Sequence, residues 1–102
     1  SPIRNALEYI NTHYWEPPLS VERIAKAAGV SRYHLSHLFK EVMGTTLSAY
    51  WIGLRCDLVR RYLAEGISVA DAAYWAGFSS QSYLTRAYKK YFGILPSKDR
   101  RK

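Results

Sequence analysis

A single cysteine, Cys56, stands in this chain of 102 residues, too few for a disulfide framework or a four-cysteine zinc site and in keeping with a reducing cytosol. Long apolar runs are missing as well. The longest uncharged one, Ala49 to Leu54, falls far below the ~20 residues of a membrane span, so no membrane association is expected. No charged-then-apolar signal segment opens the chain. Paired carboxylates, glycine-rich phosphate loops and a nucleophile elbow are absent, and with them the usual routes to hydrolysis or phosphoryl transfer. His34 and His37 are three apart on a helix, but no third metal ligand accompanies them. Cys56 has no base placed beside it and reads as structural. The expectation is a non-enzymatic protein without metal or cofactor.

Acidic residues are also scarce: eight against fifteen Lys and Arg, for a net charge of +7. Residues 1–51 carry five basic and four acidic side chains, and residues 52–102 carry ten and four. Such a basic surface points to a polyanion, nucleic acid before an anionic membrane. Hydrophobic residues make up 48%, with three Trp and nine Tyr, enough for a packed core rather than disorder. Trp15, Tyr50, Trp51, Tyr74 and Trp75 are most simply core and interface packing; an exposed Trp15 or Trp51 would indicate a partner surface.

Helical spacing runs throughout. Ser1-Pro2 opens a helix bearing Ile3, Leu7, Ile10 and Tyr14, which must end before Pro17-Pro18. Ser20 caps a short helix closed by Gly29, and Ser31 caps a longer one with Leu35, Leu38, Phe39 and Val42 inward, closed by Gly44. A long helix then runs from about Leu47 to Gly66. Ser68 opens another short helix stopped by Gly77, Ser80 a second longer one stopped by Gly93, and Pro96 a final turn or short helix leading into a basic tail. The expected fold is all-α, about seven helices, with two helix-turn-helix subdomains (1–46 and 66–102) joined by a linking helix (47–65).

That division rests on an internal repeat. Leu19-Ser20-Val21, Ala25 and Gly29 recur 48 residues later as Ile67-Ser68-Val69, Ala73 and Gly77. Ser31, Leu35, Phe39, Lys40 and Gly44 recur 49 residues later as Ser80, Leu84, Tyr88, Lys89 and Gly93. The slip of one residue lies in the turn, where an insertion costs least. Small residues on the first helix, a glycine turn and an apolar-anchored second helix are what a helix-turn-helix needs.

The second helix of each unit then presents the candidate readers: Arg32, Tyr33, Ser36 and His37 in one, Gln81, Ser82, Thr85 and Arg86 in the other. Arg and Gln can pair bidentately with guanine and adenine edges, and a tyrosine ring can cover a thymine methyl. Ser31, Lys40, Arg55, Ser80, Lys89 and Lys90 are candidates for phosphate, which gives affinity without sequence information. Arg60 and Arg61 could join them or pair locally with Asp57 or Glu65. An ordinary solvated face is the alternative for each reader. A linking helix of 17–19 residues spans roughly 25–29 Å, so the readers could enter successive major grooves about 34 Å apart. Two competing readings stay open: a non-specific nucleoid-type DNA binder, and a helical protein-interaction module.

The chain resembles the DNA-binding domain of AraC/XylS-type bacterial transcription regulators. The matching residues are Leu19-Ser20, Ile24-Ala25, Gly29 to Leu35, Phe39-Lys40, Gly44, Tyr50 and Arg55. In the second half they are Ala73, Gly77-Phe78-Ser79, Ser82-Tyr83-Leu84, Arg86, Tyr88-Lys89-Lys90, Gly93 and Pro96-Ser97. The resemblance implies a seven-helix domain that binds double-stranded promoter DNA, with base contacts falling on Tyr33, Ser36, His37, Gln81, Ser82 and Arg86. It also implies RNA polymerase as a partner, a cytoplasmic, nucleoid-associated location, and an N-terminal sensor or dimerisation domain. A chain opening at Ser1-Pro2 without a leader methionine reads as trimmed from such a longer protein, with a naturally short regulator as the alternative. Three departures stand out. His37 occupies a position often held by Arg or Lys, and the connection before Ser68 is about one residue short. Asp99 stands where an aromatic is usual, which implies a looser dock for the last turn.

Overall fold

A serine or threonine starts each of the six α-helices among the described residues. The side chains of Ser1, Ser20, Ser31, Thr46, Ser68 and Ser80 each accept a hydrogen bond from the backbone N–H three residues on, satisfying one of the donors a helix leaves unpaired. The computed structural model describes residues 1–99. It contains α1 (Pro2–His13), α2 (Val21–Ala28), α3 (Arg32–Met43), α4 (Leu47–Ala64), α5 (Val69–Trp75) and α6 (Gln81–Phe92). The final turn or short helix expected at Pro96 is a single 3₁₀ turn, Pro96–Lys98. The basic tail lies outside the described residues.

The repeat is reproduced at the turns. Val30 N–H bonds to the Ala25 carbonyl at 3.1 Å and Gly29 N–H to Lys26 at 3.2 Å; Phe78 bonds to Ala73 at 3.0 Å and Gly77 to Tyr74 at 3.2 Å. Both turns therefore close by the same left-handed glycine cap, with φ of 76° at Gly29 and 95° at Gly77. The short connection before Ser68 is accommodated by Gly66, at φ 86°, and a 3.0 Å bond from Ile67 N–H to the Tyr62 carbonyl.

Two separate cores form. The first gathers Ala6, Ile10, Ile24, Ala25, Leu35, Phe39, Leu47 and Trp51 from α1–α3 and the start of α4. The second gathers Cys56, Val59, Leu63, Ala72, Ala73, Phe78, Leu84 and Tyr88 from the rest of α4 with α5 and α6. Full burial of each large aliphatic or aromatic side chain is worth about 1.5–3 kcal/mol. Cys56 acts as a small core hydrophobe, its thiol pushed up to about 12 by burial and then by the neighbouring Asp57. Of the aromatics expected inside, Trp51 is buried, whereas Trp15, Tyr74 and Trp75 are exposed.

Asp99 corrects the expectation of a loose C-terminal dock. Its carboxylate is 2% exposed; Oδ2 accepts from the Tyr88 hydroxyl at 2.6 Å and from Arg60 Nε at 3.1 Å, and lies 3.0 Å from Arg60 Nη2. The Arg60 guanidinium in turn stacks 3.6 Å over the Phe92 ring. A hydrogen-bonded carboxylate thus anchors the turn at the position where an aromatic is usual in the family it resembles.

Candidate nucleic-acid interface

Residues spaced i, i+1, i+4, i+5 and i+8 lie on one face of a helix. On α3 that face carries Arg32, Tyr33, Ser36, His37 and Lys40, all exposed. On α6 the equivalent positions hold Gln81, Ser82, Thr85, Arg86 and Lys89, exposed except for the half-buried Thr85. The inward faces of the same helices anchor Leu35 and Phe39 in one core and Leu84 and Tyr88 in the other. Burial on one side therefore fixes what the other side presents.

The two faces differ in detail. On α3 the rings of Tyr33 and His37 lie 4.8 Å apart and tilted, forming one aromatic surface. Arg32 Nη1 is held 2.6 Å from Glu22 Oε2, a carboxylate of α2, so its charge is partly neutralised. On α6, Gln81, Ser82, Thr85 and Arg86 line one shallow depression. Thr85 Oγ1 donates to the Gln81 carbonyl at 3.0 Å, so its hydroxyl proton is engaged within the helix. Lys89 Nζ donates to the Gly93 carbonyl at 3.3 Å, and Lys40 and Lys90 are exposed. Ser31 and Ser80 cap α3 and α6 through their hydroxyl oxygens, which leaves each hydroxyl proton free to donate. Exposed N-terminal turns of this kind are favourable places for an anion.

Arg55 does not belong to the phosphate-facing set expected from sequence. It is 6% exposed, its Nε donates to the Tyr14 main-chain carbonyl, and its guanidinium stands 6.0 Å from the centre of the Phe78 ring. Burial lowers its pKa, partly offset by the nearby Tyr83. A guanidinium enclosed in this way cannot reach a DNA backbone. Arg60 is likewise engaged, with Asp99, while Arg61 stays exposed and donates to the Tyr14 hydroxyl at 3.4 Å.

Sequence reasoning missed Glu22, whose partner lies ten residues away across a turn, a distance no helical spacing rule covers. It also missed the cleft between α4 and α6 lined by Thr46, Gly53, Tyr83, Arg86, Lys90 and Tyr91. The available signal was Gly53 itself, a glycine inside a helix: a Cβ there would stand 2.9 Å from Tyr91 Cε1. Among the described residues no cluster of His, Cys, Asp and Glu could hold a metal ion, and no helix is long and apolar enough to cross a membrane.

The Glu22–Arg32 pair is exposed, and such pairs contribute at most about 1 kcal/mol. Glu22→Gln should leave stability nearly unchanged while freeing Arg32 and removing one negative charge. Affinity for duplex DNA should rise by about 2- to 5-fold at low salt, with the gain shrinking as salt is added. Fluorescence anisotropy at two ionic strengths checks this; lower affinity would mean that Glu22 itself orients Arg32 productively.

A family model described as a helix-turn-helix domain matches residues 24–102. The chain is 37% identical over 86 residues to the HTH-type transcriptional regulator CdhR of Pseudomonas aeruginosa, covering 83% of this chain and 26% of that protein. It is 33% identical over 99 residues to the multiple antibiotic resistance protein MarA of Escherichia coli K12, covering 96% of this chain and 77% of that one. The crystal structure of a Chromobacterium violaceum transcriptional regulator, described as AraC-type DNA-binding domain-containing, superposes with a TM-score of 0.85 at 33% identity over 97% of this chain and 88% of that one. The chain thus spans about a quarter of the length of CdhR and about three quarters of MarA.

Proposed function

Because the chain belongs to the AraC-type family of helix-turn-helix transcription regulators, we propose that it reads double-stranded promoter DNA with α3 in one major groove and α6 in the next. The observation that carries this reading is the duplicated outward face, five positions on α3 matched at the same spacing on α6. The body measures 40 × 22 × 22 Å, long enough to lie along one ~34 Å turn of DNA. Residues 1–46 and 66–102 act as the two reading lobes, and 47–65 as the rod between them.

Base contacts fall to Arg32, Tyr33, Ser36 and His37 in the first lobe and to Gln81, Ser82, Thr85 and Arg86 in the second, Thr85 through its methyl group. Ser31, Lys40, Ser80, Lys89 and Lys90 hold phosphates. The second lobe provides most of the electrostatic attraction, since residues 52–102 carry ten basic and four acidic side chains. No catalytic role is assigned. A sensing or dimerisation domain is the expected companion, because CdhR is about four times as long as the matched region. RNA polymerase is the expected protein partner, with the exposed Trp15, Tyr74 and Trp75 as a surface outside the reading helices. The proposed location is the cytoplasm, on the nucleoid.

Selection from a random duplex pool, with the winner compared against a scrambled duplex at two salt concentrations, tests the reading. Two short motifs about one turn apart, preferred at both salts, are expected. A second reading, purely electrostatic binding, draws on the net charge of +7; it predicts no motif and an affinity that collapses as salt rises.

A further inference from the structure

No helix of the first lobe packs extensively along a helix of the second among the described residues; α4 makes the connection. Along α4, Trp51 is the last buried residue of the first core and Cys56 the first of the second, with the partly buried Ile52 packed against both. Arg55 lies at that handover and touches both sides. Its Nε donates to the carbonyl of Tyr14, the C-cap residue of α1. Carbonyls at a helix C-terminus lack intrahelical partners and carry the negative end of the helix dipole, so a buried cation is well placed there. On the other side its guanidinium faces Phe78, in the turn of the second lobe.

The next residue of the first lobe reaches into the same turn. A Cβ at Gly77 would stand 2.4 Å from the Trp15 carbonyl oxygen and 3.1 Å from Arg55 Cζ, whereas a Cβ at Gly29, the equivalent turn glycine, would meet nothing within 4 Å. The two turns are thus alike in backbone and unlike in surroundings. Gly77 carries a contact between lobes that the repeat does not require.

We propose that Arg55 and Gly77 form a joint that fixes the angle and separation of α3 and α6, and so selects the spacing of the two DNA motifs. This deepens the two-groove reading and rests on it. With an arm of about 20 Å, half of the 40 Å long axis, a rotation of roughly 10° moves a reading helix by about 3.5 Å, close to one base-pair step. Arg55 is a positioning residue, acting on DNA only through the helices it holds.

Spin labels at Ser36→Cys and Thr85→Cys measure the joint directly, since the buried Cys56 thiol stays unlabelled. The parent pair should give one narrow distance. Arg55→Gln and Gly77→Ala should broaden or shift it with helical circular dichroism retained, whereas Gly29→Ala, with a comparable left-handed backbone, should not. Arg55→Lys replaces any variant that fails to fold. Unchanged narrow distances in folded Arg55 and Gly77 variants would overturn the proposal.

On DNA, the selected duplex is compared with versions whose motif spacing is altered by one base pair, and with a duplex carrying only the α6 motif. The parent should discriminate against wrong spacing by about 10-fold; the variants should lose most of that discrimination while binding the single-motif duplex as before. An equal loss on every duplex would reduce Arg55 to a general stabiliser and refute the joint. A parent indifferent to spacing would refute the two-groove reading instead, and the spin-label distances would still decide whether the joint exists.

Discussion

Alanine in place of Arg86 should weaken binding to the preferred duplex by about 1–3 kcal/mol, or roughly 5- to 150-fold, and relax the preference at one base pair. Arg86 projects from the middle of the α6 outer face, beside Gln81 and Ser82, and among the described residues no acidic side chain forms a salt bridge with it, in contrast to Arg32. A guanidinium left free in this way can present its fork to a guanine edge, and its loss removes two hydrogen bonds at once. Lys90 on the same helix supplies the comparison. Lys90→Ala should lower affinity evenly across sequences and reduce the salt dependence by about one counterion. Titrations of both variants against the selected and scrambled duplexes distinguish the two roles. If Arg86→Ala lowers both affinities equally, Arg86 is a phosphate contact and α6 reads sequence through other residues.

Removal of the Asp99 carboxylate should be the most damaging change to stability away from the apolar cores. Asp99→Ala orphans the Tyr88 hydroxyl at a site with no solvent exposure, and an unsatisfied buried donor costs about 1–3 kcal/mol. Arg60 is more than a quarter exposed and can rehydrate, so its share is small. For a domain of this size each kcal/mol shifts Tm by about 4–8 °C, and thermal unfolding followed by circular dichroism measures the sum. A change below about 2 °C would show that the C-terminal turn carries no weight in the second core. The pH response has a definite sign. Burial, followed by the hydrogen bond to Asp99, pushes the Tyr88 phenol up to about 12 from an ordinary value near 10. The folded state therefore favours the protonated phenol, and this stability is intact below pH 10 and lost as pH climbs towards 12. Tyr88→Phe should remove that alkaline limb.

The helices, their caps and the duplication were legible because each depends on local chemistry. Ser20 and Ser68, or Gly29 and Gly77, announce themselves within a few residues of the structure they make. The outward faces of α3 and α6 follow from helical spacing, because the apolar Leu35, Phe39, Leu84 and Tyr88 at the complementary positions face inward. Arg55 could not be placed in this way. A charged residue flanked by Leu54 and Cys56 on an amphipathic helix looks solvent-facing, and only the return of Tyr14 from one side and the Gly77-Phe78 turn from the other enclose it. Asp99 misled for the same reason: its partners Arg60 and Tyr88 lie 39 and 11 residues away. The exposure of Trp15 and Trp75 was equally out of reach, because aromatic content alone does not say which rings a small core has room for.

Two apolar cores threaded by one helix also shape how the domain comes apart. Cooperative opening follows contiguous packed units rather than the boundaries of secondary structure. α4 belongs to one unit as far as Trp51 and to another from Cys56 onward, so its amides divide between two opening reactions. Loss of the first core frays α4 from its Thr46 end, while the half bearing Val59 and Leu63 remains protected by α5 and α6. The two lobes should therefore show distinct opening free energies in amide exchange, coupled through Ile52 and through the contacts of Arg55 and Gly77.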